Sequence, residues 1–168
     1  MSGEQMERLW AGWRSAYVTA SGDHAVAGSI FTQMLASGLP DEDTHVVWRG
    51  ELVFAILNAF PYTSGHLLVM PYREVGELED LTPEEAAALW DAVRDAVVAV
   101  KAAYRPHGVN VGVNLGEAAG AGIPGHLHVH VLPRWNADSN FMTAVAEVRV
   151  LPESLGDSWA RLRAAWPA

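Results

Sequence analysis

The chain has 168 residues, enough for one domain with a buried core; half of them are hydrophobic and 18% are charged. This composition excludes a disordered protein, and the formal net charge of −9 argues against general binding to DNA or RNA. The lack of cysteine excludes disulfides and thiolate metal ligands. Because the sequence has no signal pattern and no apolar run of membrane-spanning length, we expect a cytoplasmic location.

The N-terminal part of the chain predicts short elements. Residues 5–18 place a leucine and three aromatic side chains at roughly helical spacing, which indicates a short helix or a packed arm. Residues 30–35 predict one or two helical turns. The β-rich segments that follow predict strands over residues 44–48, 51–57 and 66–70.

A long helix comes next, and the sequence predicts both of its ends. Thr82 is a suitable N-cap, Pro83 occupies the first helical position, and Glu85 completes a capping box. Pro106 ends the helix. One face carries an apolar stripe made of Leu89, Val93, Val97, Val100 and Tyr104.

The rest of the chain predicts strands over residues 109–114, 126–131 and 147–151, and a closing helix over residues 154–166. Most of the predicted strands are joined by short turns. We therefore predict an α+β fold: a mainly antiparallel sheet with the long helix packed on it, in a single domain over residues 1–168.

Three histidines alternate with apolar residues in the stretch His126-Leu-His-Val-His-Val131. Alternation with period two predicts a half-buried strand with imidazoles on one face and apolar side chains on the other. A glycine-rich turn precedes the row, and consecutive backbone N–H groups in such a turn can bind an anion. Three interpretations are open: a surface strand, a zinc site completed by a third donor, and nucleophilic attack on phosphorus, which the adjacent turn favours.

This histidine pattern resembles the signature of the histidine triad (HIT) superfamily of nucleotide hydrolases and transferases. The resemblance covers about residues 44–135. Further landmarks match in order: Asn58, the turn Pro61-x-x-x-Gly-His66, the segment from Pro71 to Leu81, and Asn114 with Gly120. The resemblance implies a compact antiparallel sheet crossed by a helix, and we expect a homodimer or a higher homo-oligomer.

The resemblance also implies roles for the histidines. His128 would attack the α-phosphate of a nucleotide and form a covalent nucleotidyl-histidine. His130 would contact the phosphate or the leaving group. His126 would orient His128 through its backbone carbonyl, because an imidazole is nucleophilic at one nitrogen only when its proton is held on the other. His66 would face the active site, with a purely structural role as the alternative.

The same resemblance implies the substrate contacts. Asn58 would bind the ribose hydroxyls and Asn114 the phosphate or the bridging oxygen. For each asparagine taken alone, a turn or strand-end role is an equally good explanation. The phosphate oxygens would meet backbone N–H groups of the turn, around Gly120, Gly122 and Ile123.

Two departures from the family pattern matter for the chemistry. Branches with a structural zinc hold it by an N-terminal Cys-x-x-Cys and a histidine just after the third strand, whereas this chain has no cysteine and reads Pro71-Tyr-Arg-Glu74 there. No zinc and no other cofactor is therefore implied. Residues 121–125 also lack the Ser, Thr or Gln that several branches place before the triad, so backbone N–H groups must bind the phosphate.

Outside the triad, three segments resemble the bacterial diadenosine tetraphosphate phosphorylases, namely Leu132–Trp135, residues 138–141 and Leu9-Trp10. When their reaction runs backward, these enzymes act as ATP adenylyltransferases. We therefore favour phosphorolysis of an adenine dinucleotide, with inorganic phosphate as acceptor. The alternatives are a hydrolase of dinucleoside polyphosphates or nucleoside phosphoramidates, and a nucleotide-binding module with weak catalysis. A metal-dependent enzyme is the third class of function, after the nucleotidyl transfer enzyme and the binding module. We expect neither nucleic acid nor a membrane as partner.

Overall fold

The computed structural model describes residues 28–138 and 151–168. Residues 28–136 and 151–168 form one compact unit, which contains all the elements below. The arm predicted over residues 5–18 lies outside the described residues, and so does the strand predicted over 147–151, except for Leu151, which is not in a strand. The single domain over residues 1–168 stays a prediction.

The described helices and strands follow one another in an order close to the predicted one. The elements are α1 (Ile30–Ala36), α2 (Asp41–Thr44), β1 (Val46–Arg49), β2 (Val53–Leu57), β3 (Leu67–Pro71), α3 (Pro83–Tyr104), β4 (Gly108–Val113), β5 (Val129–Arg134) and α4 (Leu155–Ala165). Single 3₁₀ turns over Leu78–Asp80 and Glu117–Ala119 precede α3 and β5.

The five strands form one sheet in the order β1-β2-β3-β5-β4, and every neighbouring pair is antiparallel. β5 returns between β3 and β4, so Val129 is paired with Val69 on one side and with Val113 on the other. The predicted α+β class and the mainly antiparallel sheet are therefore confirmed.

The long helix α3 begins and ends where the sequence predicted. The Thr82 hydroxyl accepts the Glu85 N–H at 3.2 Å, and the Glu85 carboxylate accepts the Thr82 N–H at 2.9 Å, which completes the capping box. Leu89, Val93 and Val100 are buried against the sheet. In the described part of the chain, α3 and the shorter helices all lack the apolar length that a bilayer crossing requires.

The two faces of the sheet are covered by different elements. Val129 and Val131 of β5 join the core beneath α3, with Leu162 of α4. On the opposite face, a second cluster gathers Phe31 of α1 with side chains of β1, β2 and β3, and His130 lies beside Leu68 of β3. The histidine face is thus covered as well, whereas the sequence predicted a half-buried strand.

Three strands begin two or three residues later than predicted. Thr44 ends α2, because Pro40 and three acidic residues favour a helical turn there over an extended chain. β2 begins at Val53, since residues 50–52 form the turn and the Gly50 N–H is donated to the Val53 carbonyl at 2.9 Å. β5 begins at Val129, because the Leu127 N–H is donated to Val75 rather than to β3.

Candidate active site

His128 is held in the protonation state that a nucleophile needs. Its Nδ1 lies 2.8 Å from the backbone carbonyl oxygen of His126. Because a carbonyl only accepts, Nδ1 carries the proton and Nε2 keeps a lone pair. Burial lowers the pKa of His128, against the opposing effect of the His126 carbonyl, so the ring is neutral at neutral pH. This contact is the one that the family resemblance implied for His126.

His126 is fully buried and both of its ring nitrogens have partners. Nε2 lies 2.8 Å from the carbonyl oxygen of Pro71, the last residue of β3. Nδ1 lies 2.7 Å from Oγ of Ser29, the N-cap of α1. The ring of Phe31 meets the imidazole edge-on, with 5.5 Å between the ring centroids. His126 is therefore fixed between β3 and α1.

His130 is held in place by residues of the turn that precedes β3. Its Nδ1 lies 2.9 Å from Nε2 of His66, and Nδ1 of His66 accepts the Tyr62 N–H at 3.1 Å. The backbone N–H is always a donor, so His66 carries its proton on Nε2 and donates it to Nδ1 of His130. A neutral His130 then carries its own proton on Nε2. The structure therefore places His66 beside His130, where it fixes the orientation of that ring, and a role of His66 in catalysis stays a prediction.

The Nε2 atom of His130 is buried and has no hydrogen-bond partner among the described residues. Two causes lower the pKa of His130 to about 4: burial is the larger one, and the proximity of His128 is the smaller one. The ring is therefore a neutral N–H donor at neutral pH, and a buried unpaired donor costs about 1–3 kcal/mol. Such an atom is well suited to bind an oxygen that arrives with the substrate.

There is open space beside His130 on the side of β4. Gly112 is paired with His130, and a side chain at Gly112 would meet no atom within 4 Å. Tyr62 stacks on His130 with 6.0 Å between the centroids, and Phe31 lies 6.0 Å from His128. The two aromatic rings thus bound the row of histidines, and the glycine leaves the adjoining surface uncovered.

Asn114 follows β4 and lies close to the triad by register. Since Val113 is paired with Val129, continuation of the antiparallel register places Asn114 opposite His128 on the same face. Its Nδ2 lies 3.4 Å from the Gly120 carbonyl oxygen. The structure therefore brings Asn114 and Gly120 together, while the phosphate contact of Asn114 stays a prediction.

The glycine turn offers fewer backbone donors than the sequence suggested. The N–H groups of Gly120 and Ala121 are donated within the turn, to Glu117 and Gly116. Among the described residues, the N–H groups of Gly122 and Ile123 have no such partner. Gly122 and Ile123 are thus the predicted donors whose N–H groups stay available for an anion, and the binding of phosphate by the turn stays a prediction.

Asn58 makes its contacts inside the turn that leads to His66. Its Oδ1 accepts the Phe60 N–H at 2.9 Å, and its Nδ2 lies 3.4 Å from Nδ1 of His66. These contacts fit the turn role that sequence reasoning kept as the alternative. Binding of the ribose by Asn58 stays a prediction.

Sequence reasoning missed four groups that hold the histidines: Ser29, the ring of Phe31, the Tyr62 N–H and the Pro71 carbonyl. Only Ser29 gave a local signal, as a helix N-cap. Within residues 28–138 and 151–168, no three His, Cys, Asp or Glu side chains are grouped as a metal site would require.

Comparisons with known proteins identify the family of the chain. The family model described as HIT domain matches residues 40–137. The chain is 43% identical to the AP-4-A phosphorylase of Mycobacterium tuberculosis over 97% of this chain and 86% of that protein. It is 38% identical to the asymmetrical bis(5'-nucleosyl)-tetraphosphatase of Schizosaccharomyces pombe, over 56% of this chain and 52% of that protein.

A crystal structure of a zinc-bound histidine triad family protein from Mycobacterium smegmatis superposes with a TM-score of 0.67 and 28% identity, over 82% of this chain and 92% of that chain. The family match spans more than half of the chain and includes the three histidines of the site. The chain belongs to the HIT domain family.

Proposed function

We propose that this protein is a nucleotidyl transferase that cleaves diadenosine tetraphosphate with inorganic phosphate, through a covalent bond to His128. The observation that carries the proposal is the 2.8 Å contact between Nδ1 of His128 and the His126 carbonyl oxygen, which leaves Nε2 as the nucleophile. The 43% identity to a mycobacterial AP-4-A phosphorylase supports the choice of substrate.

In the first step, Nε2 of His128 attacks the α-phosphorus, and the bond from phosphorus to the bridging oxygen of the leaving polyphosphate breaks. ATP departs and AMP remains bonded to His128. The polyphosphate oxygen leaves as an anion, so a hydrogen bond from His130 Nε2–H stabilises it without transfer of a proton. The proton on Nδ1 of His128 stays hydrogen-bonded to the His126 carbonyl throughout.

In the second step, an oxygen of inorganic phosphate attacks the same phosphorus and the phosphorus–nitrogen bond breaks. ADP departs and His128 returns to the neutral ring. The N–H groups of Gly122 and Ile123 and the amide of Asn114 are the donors that we expect on the phosphate oxygens, and Asn58 is the group that we expect near the ribose. No step requires zinc, and a chelator is expected to leave the rate unchanged.

The test is to incubate the protein with diadenosine tetraphosphate, with and without phosphate, and to separate the products by anion exchange. ATP plus ADP formed only with phosphate is the expected result. His128→Ala should lower kcat by at least about ten-thousand-fold and abolish the AMP adduct. Turnover by His128→Ala, or the lack of any adduct on the wild-type protein, would contradict the assignment of the nucleophile.

The second candidate function is hydrolysis, in which water replaces phosphate in the second step. The similarity to the Schizosaccharomyces pombe tetraphosphatase favours it, although that similarity covers a smaller part of both chains. The same incubation separates the two functions, because a hydrolase forms ATP plus AMP without phosphate.

The proposal includes a homodimer in the cytoplasm. β4 is an edge strand that pairs only with β5 among the described strands, and Val111 on it is 43% exposed. Such an edge presents unpaired backbone groups, and a second copy of β4 can pair with them. Sedimentation should give the mass of a dimer, and Val111→Lys should weaken the dimer; a wild-type monomer would overturn this part of the proposal.

A further inference from the structure

Side chains from three separate segments meet around the ring of His126. Ser29 and Thr32 come from α1 and its N-cap, Glu74 follows β3, and His126 precedes β5. Ser29 Oγ lies 2.7 Å from Nδ1 of His126 and 3.3 Å from Oγ1 of Thr32. The Glu74 carboxylate accepts hydrogen bonds from the Thr32 hydroxyl and from the Ser29 N–H. The proposed reaction uses none of these three partners.

The direction of each hydrogen bond in this cluster follows from groups that only accept. The Glu74 carboxylate takes the hydrogen of the Thr32 hydroxyl, and its hydrogen bonds with Thr32 and Ser29 lower the pKa of Glu74, so it is ionised at neutral pH. Ser29 Oγ accepts the Thr32 N–H at 3.3 Å as the cap of α1. Its single hydrogen goes to the nearer acceptor, Nδ1 of His126 at 2.7 Å, rather than to Oγ1 of Thr32 at 3.3 Å.

The opposite side of the His126 ring is fixed in the same way. The Pro71 carbonyl only accepts, so Nε2 of His126 carries a proton. In the neutral ring, Nδ1 is then an acceptor, which matches the hydrogen that Ser29 offers. The two contacts select one tautomer and one orientation of a fully buried side chain.

We propose that Ser29 is a positioning residue for nucleotidyl transfer: by fixing the His126 ring, it fixes the backbone carbonyl that holds the proton on Nδ1 of His128. The contacts from Glu74 to Ser29 and Thr32 hold Ser29 in place. Docking of α1 on the sheet is then a condition for an active nucleophile. The kinetic part of this inference rests on the proposed function, whereas the tautomer of His128 does not.

The experiment compares variants of Ser29 in the full chain. Ser29→Gly removes the hydroxyl but keeps a residue that caps helices nearly as well, so the loss of the cap is small. Ser29→Thr keeps the hydroxyl. The control is Ser154→Ala, because Ser154 caps α4 in the same way, by accepting the Asp157 N–H at 3.1 Å, and its own hydroxyl is donated to the Asp157 carboxylate.

Ser29→Gly should lower kcat for diadenosine tetraphosphate by about 10–100-fold, as expected for a lost orienting partner, with KM little changed. Nitrogen-15 NMR should show His128 as the Nδ1–H tautomer in the wild type and as a mixture in Ser29→Gly, because the His126 carbonyl that holds this proton is then less firmly placed. Ser29→Thr should restore both readouts, and Ser154→Ala should leave both unchanged.

An unchanged tautomer and an unchanged kcat in Ser29→Gly would overturn the inference. An equal loss of kcat in Ser154→Ala would do the same, because it would reduce the effect to lost stability. If the wild-type protein does not cleave the dinucleotide, the proposed function fails, and the His128 tautomer in Ser29→Gly still decides the role of Ser29.

Discussion

The two outer histidines of the row differ in how completely they are bonded. His126 is paired at both ring nitrogens, with Ser29 and Pro71. His130 is paired only at Nδ1, with His66, and its buried Nε2 has no partner within the described part of the chain. Because an unpaired buried donor is unfavourable, we propose that this atom is the one that meets the substrate. In this proposal the fully bonded ring of His126 positions the nucleophile, and the half-bonded ring of His130 binds the substrate.

The largest effect that tests this difference is expected from His130→Ala. Loss of the Nε2–H donor should lower kcat by about 10²–10³-fold, as for other donors aimed at developing charge. The unfolding free energy should fall by less than in His126→Ala, because His130→Ala leaves one buried partner unbonded, the Nε2–H of His66, and the Nε2–H that it removes was not satisfied. Steady-state kinetics and thermal unfolding measure the two quantities.

His126→Ala is the matched variant and should lose more stability than His130→Ala. It leaves the Pro71 carbonyl and the Ser29 hydroxyl without their partner, so we expect the unfolding free energy to fall by about 2–3 kcal/mol. Equal losses of stability in the two variants would remove the distinction between the outer histidines.

A smaller effect is expected from His66→Leu. Without the donor at 2.9 Å, the proton of His130 is free to occupy Nδ1, and the fraction of rings with Nε2–H falls. We expect kcat to fall about tenfold. His66→Gln is the control, because a side-chain amide can donate from nearly the same position and should retain most of the activity. If His66→Leu and His66→Gln are equally active, His66 does not determine which nitrogen of His130 carries the proton.

The smallest effect concerns pH. Burial is the main cause that lowers the pKa of His128, and it lowers the pKa of His130 to about 4. The ordinary pKa of histidine is about 6.5, so both rings take up a proton only at a lower pH than an ordinary histidine does. The acid limb of the kcat/KM profile should therefore lie below pH 6.5, the ordinary histidine pKa. A limb at or above this value in the pH–rate profile would contradict the assignment.

The same pKa shift of His130 predicts how stability depends on pH. The unfolded chain binds the proton more tightly than the folded one between about pH 6.5 and 4, so folded stability falls as the pH falls through this range. His130→Ala should lose less stability over the same range in denaturant titrations.

Local patterns were enough to predict the framework. The capping box spans only Thr82 to Glu85, and the alternation of Val129 and Val131 with His130 depends on residues that are neighbours in the chain. Thr44 was wrongly placed in a strand, because its β propensity was weighed without the acidic helical turn before it. Such errors concern boundaries and leave the fold class unchanged.

Local sequence patterns could not predict the hydrogen-bond partners of the histidines. Ser29 and His126 are 97 residues apart in the chain, and His66 and His130 are 64 apart. Both contacts require β5 to lie next to β3 with one particular register, and neither spacing nor composition reveals that register. The sequence therefore predicted which histidines form the site, but not what determines their protons.

The position of β5 between two other strands also has a consequence for hydrogen exchange. Its first three residues, Val129 to Val131, are paired with β3 on one side and with β4 on the other, and all three are buried. Opening them requires disruption of the sheet, so their exchange should report global unfolding. The seven-residue helix α1 buries only Phe31 and can open locally at a much smaller cost. The Ser29 contact with His126 should therefore break and re-form many times while β5 remains intact.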